Sequence, residues 1–236
     1  MDKSVIVTGA GAGLGFSLVK QHIGRGDRVY AFERNISDEL RNLARDHADL
    51  HVCQCDVAST ASVTAAVTEV FAKEERLDFL YNNAGIFLKD SHCGLLETDI
   101  DADMAMMQVN AAGMLRVFKA AFPRLGAGSV VVAITSEAGS IGACWREGEY
   151  MYAMSKAAAN MAAMTLQNEL KAKGVRVICF HPGWLRSLMG GERAAASPTS
   201  VSPDESAADI VGYATQPETI PEGVYFMEHT GKALPW

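Results

Sequence analysis

The stretch Ser4-Val5-Ile6-Val7-Thr8-Gly9-Ala10-Gly11-Ala12-Gly13-Leu14-Gly15 sets what the rest of the chain is expected to build. Ser4–Val7 is a short apolar run of strand type, a glycine-rich turn follows, and Leu18, Val19 and Ile23 then recur at helical spacing. In a strand, turn and helix of this kind, bare backbone N–H groups and the positive end of the helix converge where a pyrophosphate can sit. The glycines let the backbone approach the phosphates closely. Without its flanks the glycine run reads equally well as a plain turn; the strand before it and the helix after it favour a dinucleotide.

Outward from this stretch, strand patterns fall at Arg28–Phe32, Leu50–Gln54, Leu77–Tyr81, Ser129–Ile134, Val175–Phe180 and Gly223–Met227. Helical spacing occupies Ser59–Glu74, Thr98–Leu125, Tyr152–Lys173 and Pro203–Ala214. The alternation predicts an α/β fold, a doubly wound parallel sheet of Rossmann type, as a single domain over residues 1–236. No internal repeat or linker divides it. With 236 residues, 49% of them hydrophobic, and a mean hydropathy of +0.05, the chain can bury one large core. A net charge of −7 argues against nucleic acid and against an anionic membrane surface, since both need a basic field. The five cysteines lack the paired spacing of a zinc site, so no metal is expected, and reduced thiols in a cytoplasm are the default reading. No signal-peptide core and no membrane-length apolar run is visible.

Chemistry concentrates around Tyr152-Ala153-Met154-Ser155-Lys156. Residues four apart share one helical face about 5–6 Å apart at Cβ, which would let the Lys156 ammonium lower the Tyr152 pKa and make the phenol a proton donor and acceptor. The spacing alone is common by chance, and Tyr150, six residues from Lys156, lies on another face. Ser136 follows the strand ending at Ile134, at the end of the sheet where α/β proteins bind ligands; Ser140 is a second candidate farther from the strand. Glu33 ends the second strand, 20 residues beyond Gly13. A carboxylate there accepts from both ribose hydroxyls and repels a 2′-phosphate, which favours NAD; Arg34 beside it keeps NADP open, and a solvated Glu-Arg pair is the plain alternative. Asp56 can cap the helix that begins near Ser59. Asn110, in an apolar small-residue context, must find partners once buried.

Together these residues resemble the short-chain dehydrogenase/reductase family over essentially the whole chain. Gly9, Gly13 and Gly15 match its TGxxxGxG turn, which also contains Leu14, and Asn82-Asn83-Ala84-Gly85 matches its NNAG. Asn110, Ser136, the Tyr152/Lys156 pair and Pro182-Gly183 follow in the family order. The resemblance implies hydride transfer between NAD(H) and a small carbonyl or secondary alcohol. Tyr152 would exchange the proton, Ser136 would stabilise the substrate oxygen, and Lys156 would tune Tyr152 and bind the nicotinamide ribose. Asn110 would bend its helix and hold a water that reaches Lys156. Asp56 and Val57 would hold the adenine, with the backbone of Asn83, Ala84 and Gly85 beside the cofactor. The turn Pro182-Gly183-Trp184 and Ser187 would face the nicotinamide amide.

The His181-Pro182-Gly183-Trp184 turn, Met189-Gly190-Gly191, the tail Gly231–Trp236 and a long loop between Ser136 and Tyr152 resemble the C-factor-like carbonyl-reductase subgroup. Phe87, Leu88, Trp145, Trp184 and Met189 could line an apolar substrate site or be plain core. Arg146 reads as solvated and His181 as structural. A loop at about 184–203 is a substrate lid or a surface connector. The small-residue helix after Tyr152 packs on the sheet or on a second subunit, so a homo-oligomer, dimer or tetramer, is expected. A non-catalytic NAD(P)(H)-binding sensor or scaffold is the alternative function. A nucleotide-sugar epimerase would need a larger C-terminal domain than the roughly 50 residues after Gly183 allow.

Overall fold

Alternation along the strands determines which helix covers which face of the sheet. The structure, a computed structural model, describes residues 2–236. Its strands are β1 (Ser4–Thr8), β2 (Arg28–Glu33), β3 (Leu50–Gln54), β4 (Phe79–Asn82), β5 (Val130–Ile134), β6 (Arg176–His181) and β7 (Phe226–Glu228). They form one sheet in the order β3-β2-β1-β4-β5-β6-β7, with every pairing parallel. The order reverses between β1 and β4, which opens a crevice at their carboxyl ends.

The helices are α1 (Gly13–Gly24), α2 (Asp38–Asp46), α3 (Thr60–Phe71), α4 (Ile100–Met106), α5 (Met114–Ala121), α6 (Tyr150–Leu170), α7 (Gly191–Ala196) and α8 (Pro203–Thr215). Val5 and Val7 point to the face covered by Leu14, Leu18 and Val19 of α1, Leu40 of α2, and Ala207, Ile210 and Val211 of α8. Ile6 points to the other face, against Val63 and Val67 of α3, Val117 and Phe118 of α5, and Ala159, Ala163 and Leu166 of α6. Both faces of β5 are buried along its length, as its continuous apolar run requires. Two buried polar clusters tie the layers. His22 of α1 lies 2.8 Å from Asp27 Oδ2 through Nδ1 and 2.8 Å from the Tyr81 hydroxyl of β4 through Nε2. The Tyr30 hydroxyl donates to Glu74, which also pairs with Arg28.

Strand positions follow the sequence expectation within a few residues. The expected single helix over Thr98–Leu125 is instead α4, a π-helical stretch over Met107–Gly113, α5, and a 3₁₀ turn over Phe122–Arg124 at Pro123. The widened turn coincides with Asn110, whose side chain bonds outside the helix, and with Gly113, where a Cβ would lie 3.0 Å from Val57. α2, absent from the sequence expectation, is a short helix that packs through Leu40 with Leu43 and Ala44 beside it and is capped by Ser37, whose Oγ accepts from the Leu40 N–H. The expected irregular loop after Trp184 contains α7 and is pinned by a bridge between Leu185 and Val201.

Candidate active site

The turn between β1 and α1 is built so that its N–H groups stay open. Gly9 (φ +65°) and Gly13 (φ +53°) hold backbone that other residues rarely adopt, and a Cβ on Gly15 would lie 2.0 Å from the Gly9 carbonyl oxygen. Ala12 caps α1 without a side-chain hydrogen bond, so the first-turn donors face the crevice. The NNAG segment fixes this turn from β4. Asn83 Nδ2 donates to the carbonyls of Thr8 (2.9 Å) and Gly9 (3.1 Å), and Thr8 Oγ1 accepts from the N–H groups of Asn83 and Ala84 at 3.0 Å each. Glu33 is not a solvated half of a Glu-Arg pair: its carboxylate accepts from the Gly11 N–H (2.8 Å) and the Arg34 N–H (2.9 Å). Asp56 is not the cap of α3; Ser59 is, while Asp56 accepts from the Ala58 N–H in the turn before it.

A cavity of about 1140 Å³ runs from this turn to Tyr152. Its wall includes Gly9, Gly13, Leu14, Gly15, Glu33, Asp56, Val57, Asn83, Ala84, Gly85, Ser136, Tyr152, Lys156, Pro182, Gly183, Trp184 and Ser187. The residues to which the family resemblance gives a catalytic or cofactor role all line this cavity except Asn110, which is buried. The turn, the open helix N-terminus and the Glu33 carboxylate fit a dinucleotide: the N–H groups suit the phosphates and the carboxylate suits ribose hydroxyls. Phe87, Trp145, Trp184 and Met189 line the far end as expected, and Leu88 does not.

Tyr152 stands edge-on to Phe87, ring centres 4.8 Å apart at 81°. The Ser136 side chain faces its phenol closely enough to favour the phenolate. That influence is outweighed: burial pushes the Tyr152 phenol up to about 12, with the Glu137 charge acting in the same direction. This corrects the expectation that Lys156 lowers it. Lys156 Nζ lies 5.8 Å from the Tyr152 ring centre and donates to the Ile134 carbonyl at 3.3 Å; its own burial pulls it down to about 8. Asn110 exchanges two hydrogen bonds with the backbone of Ile86, donates to Ser155 Oγ at 3.0 Å, and so fastens the segment after β4 to α6. A Cβ on Gly85 would lie 3.3 Å from Asn110 Oδ1 and 3.4 Å from Lys156 Nζ, so the bare glycine keeps the space between those two groups open. The rivals drop out. Ser140 is buried with its hydroxyl donating to the Pro235 carbonyl at 2.7 Å, and Tyr150 is absent from the cavity wall.

Sequence reasoning missed an ion chain beside Ser136. Arg146 is not solvated. Its two terminal nitrogens donate to Glu137 (2.9 and 3.1 Å) and its Nε donates to Glu149 (2.8 Å). Glu149 in turn lies 2.7 Å from His92 Nδ1. Glu149 is also the one non-glycine residue of positive φ (59°) among those described, a costly conformation held by these bonds. His181 ends β6 on the cavity wall with Nδ1 buried and unpartnered among the described residues, and burial lowers its pKa. No signal in the sequence pairs Arg146 with Glu137; their spacing of nine residues in a loop has no periodicity to exploit.

A family model described as short chain dehydrogenase matches residues 3–197. Among curated proteins, the chain is 29% identical to an uncharacterized oxidoreductase of Schizosaccharomyces pombe, covering 100% of this chain and 98% of that one. It is 30% identical to the 1-hydroxy-2-glutathionyl-2-methyl-3-butene dehydrogenase of Rhodococcus sp. (88% of each) and 37% identical to C-signal of Myxococcus xanthus (68% of this chain, 93% of that one). Among solved structures, it is similar to the NADPH-bound carbonyl reductase from chicken fatty liver, with a TM-score of 0.88 at 27% identity over 100% and 99% of the two chains. Carbonyl reductase Sniffer of D. melanogaster superposes with a TM-score of 0.88 at 25% identity over 100% of both.

Proposed function

This chain belongs to the short chain dehydrogenase family, and from that premise we propose that it interconverts a small carbonyl compound and its secondary alcohol. The glycine turn would hold a nicotinamide dinucleotide, which would supply or accept the hydride. The observation that carries the reading is the common cavity: the Tyr152 phenol, the Ser136 hydroxyl and the open N-terminus of α1 share it. With its pKa raised to about 12, Tyr152 is a neutral phenol at physiological pH, suited to giving its proton to a carbonyl oxygen as that oxygen gains charge. Ser136 donates a second hydrogen bond to the same oxygen. Lys156 refills the phenol with a proton by way of the space beside Gly85, where Asn110 holds the surrounding backbone. Leu14, Asp56, Val57, Ser187 and the Pro182-Gly183-Trp184 turn, which line the remaining wall, would hold the cofactor there.

Glu33 supports NAD as the preferred carrier, since a locked carboxylate opposes a 2′-phosphate. The NADPH in the chicken enzyme makes this the point to test. Five free cysteines are consistent with a reducing cytoplasm, and exposed Leu115, Met154 and Met161 on α5 and α6 with burial against a second copy. Among the described residues no helix is long and apolar enough to cross a membrane. The test is a panel of aldehydes and ketones assayed with NADH and with NADPH. Oxidation of either cofactor with any of them supports the reading. Tight cofactor binding without turnover on the whole panel replaces it with a sensor or scaffold.

A further inference from the structure

The hydroxyl of Ser136 is already committed. Its oxygen accepts from the Ala138 N–H at 3.1 Å, and its proton is donated to Glu137 Oε2 at 3.0 Å. With its proton held by Glu137, the serine meets an incoming carbonyl without a free donor when the chemistry needs one. Glu137 Oε2 also receives Arg146, whose other terminal nitrogen holds Oε1. A charge-assisted fork of this kind draws electron density from the carboxylate and weakens its hold on the neighbouring hydroxyl.

We propose that Glu137 and Arg146 form a positioning pair that parks the Ser136 proton and releases it to the substrate oxygen. Glu137 keeps the hydroxyl rotor in one orientation, and Arg146 keeps Glu137 from being too strong a competitor for the proton. The role rests on the carbonyl-reducing reading above and extends it to two side chains that touch no reacting atom. Its physical consequence is an opposition between the two residues. Loss of the Arg146 charge leaves an uncompensated carboxylate gripping Ser136, and loss of the Glu137 charge removes the grip.

Opposed effects separate this role from simple loop bracing. Arg146 also ties the 140–149 loop to α6 through Glu149, so its replacement loosens that loop whatever stands at 137. Steady-state kinetics on a ketone accepted by the wild type would compare Arg146→Met, Glu137→Gln and the double variant, each with its melting temperature. The expected result is a fall in kcat of about tenfold or more in Arg146→Met, with KM for the cofactor within about twofold. The double variant should recover to within about threefold of Glu137→Gln alone, although its loop is no better pinned. A double variant no faster than Arg146→Met overturns the role, as does a cofactor KM that rises in step with the loss of kcat. A wild type that oxidises neither cofactor overturns the proposed activity and this role with it, whereas an active wild type with an unrescued double overturns this role alone.

Discussion

Replacing Tyr152 by Phe removes one oxygen and leaves the ring where Phe87 holds it, edge-on at 4.8 Å. The glycine turn, Glu33 and the NNAG bonds are untouched, so cofactor affinity, read by fluorescence titration, should stay within about twofold of wild type. Turnover should not survive. A positioned general acid contributes about 10²–10⁴-fold, or roughly 3–5 kcal/mol of barrier, and the Phe side chain has no proton to give. Ser136 remains to stabilise the oxygen, which sets the residual rate above zero. Initial rates of cofactor oxidation with a saturating ketone measure kcat directly. The pH profile adds a sign. Carbonyl reduction uses the phenol and should be flat across neutral pH, while alcohol oxidation uses the phenolate and should rise about tenfold per pH unit towards the phenol's pKa. A Phe variant that keeps more than about a tenth of wild-type kcat would refute the assignment of Tyr152 as the acid.

The two serines should separate cleanly. Ser136→Ala is expected to lower kcat by about 10²-fold, whereas Ser140→Ala, which loses the bond to Pro235, should keep kcat and lose about 1 kcal/mol of stability, a drop of about 2–4 °C in Tm. Glu33→Gln keeps an acceptor for the Gly11 N–H and removes the charge; the ratio of kcat/KM for NADPH over NADH should rise about tenfold or more, and an unchanged ratio would sink the proposed NAD preference. Stability should follow His22. Burial lowers its pKa below 6.5, so the folded chain binds fewer protons there than the unfolded one, and the contribution present above pH 6.5 is lost as pH falls. Tyr81→Phe strips the partner from His22 Nε2 and should cost about 1–3 kcal/mol in urea unfolding without changing KM.

The parts of this molecule that announce themselves in the sequence are those fixed by periodicity or by backbone conformation. Apolar runs located central strands such as β1 and β5, because a sheet covered on both faces leaves them little choice of residue. Glycines located the nucleotide turn because a Cβ at Gly15 has nowhere to go. What stayed hidden is a short helix and a set of long-range charges. α2 shows its apolar contacts, Leu40, Leu43 and Ala44, within only nine residues, too short a stretch to stand out, and Arg146 finds Glu137, Glu149 and, through Glu149, His92 only once three separate segments have been folded together. The Tyr152 pKa was read with the wrong sign for the same reason: helical spacing gives the distance to Lys156 but not the burial, which here is the larger influence.

The π-helical stretch over Met107–Gly113 makes chain length, as well as residue identity, a determinant of this site. A π turn carries one residue more than the α-helix that would bridge the same rise, so a one-residue deletion there lets the stretch close to regular α-helix without turning α5 about its axis. Val117 and Phe118 would stay enclosed, and what the deletion removes is the widened turn from which Asn110 reaches Ile86. An indel between Met107 and Gly113 therefore bears on the Asn110 bonds to Ile86 and Ser155 before it bears on the core behind them.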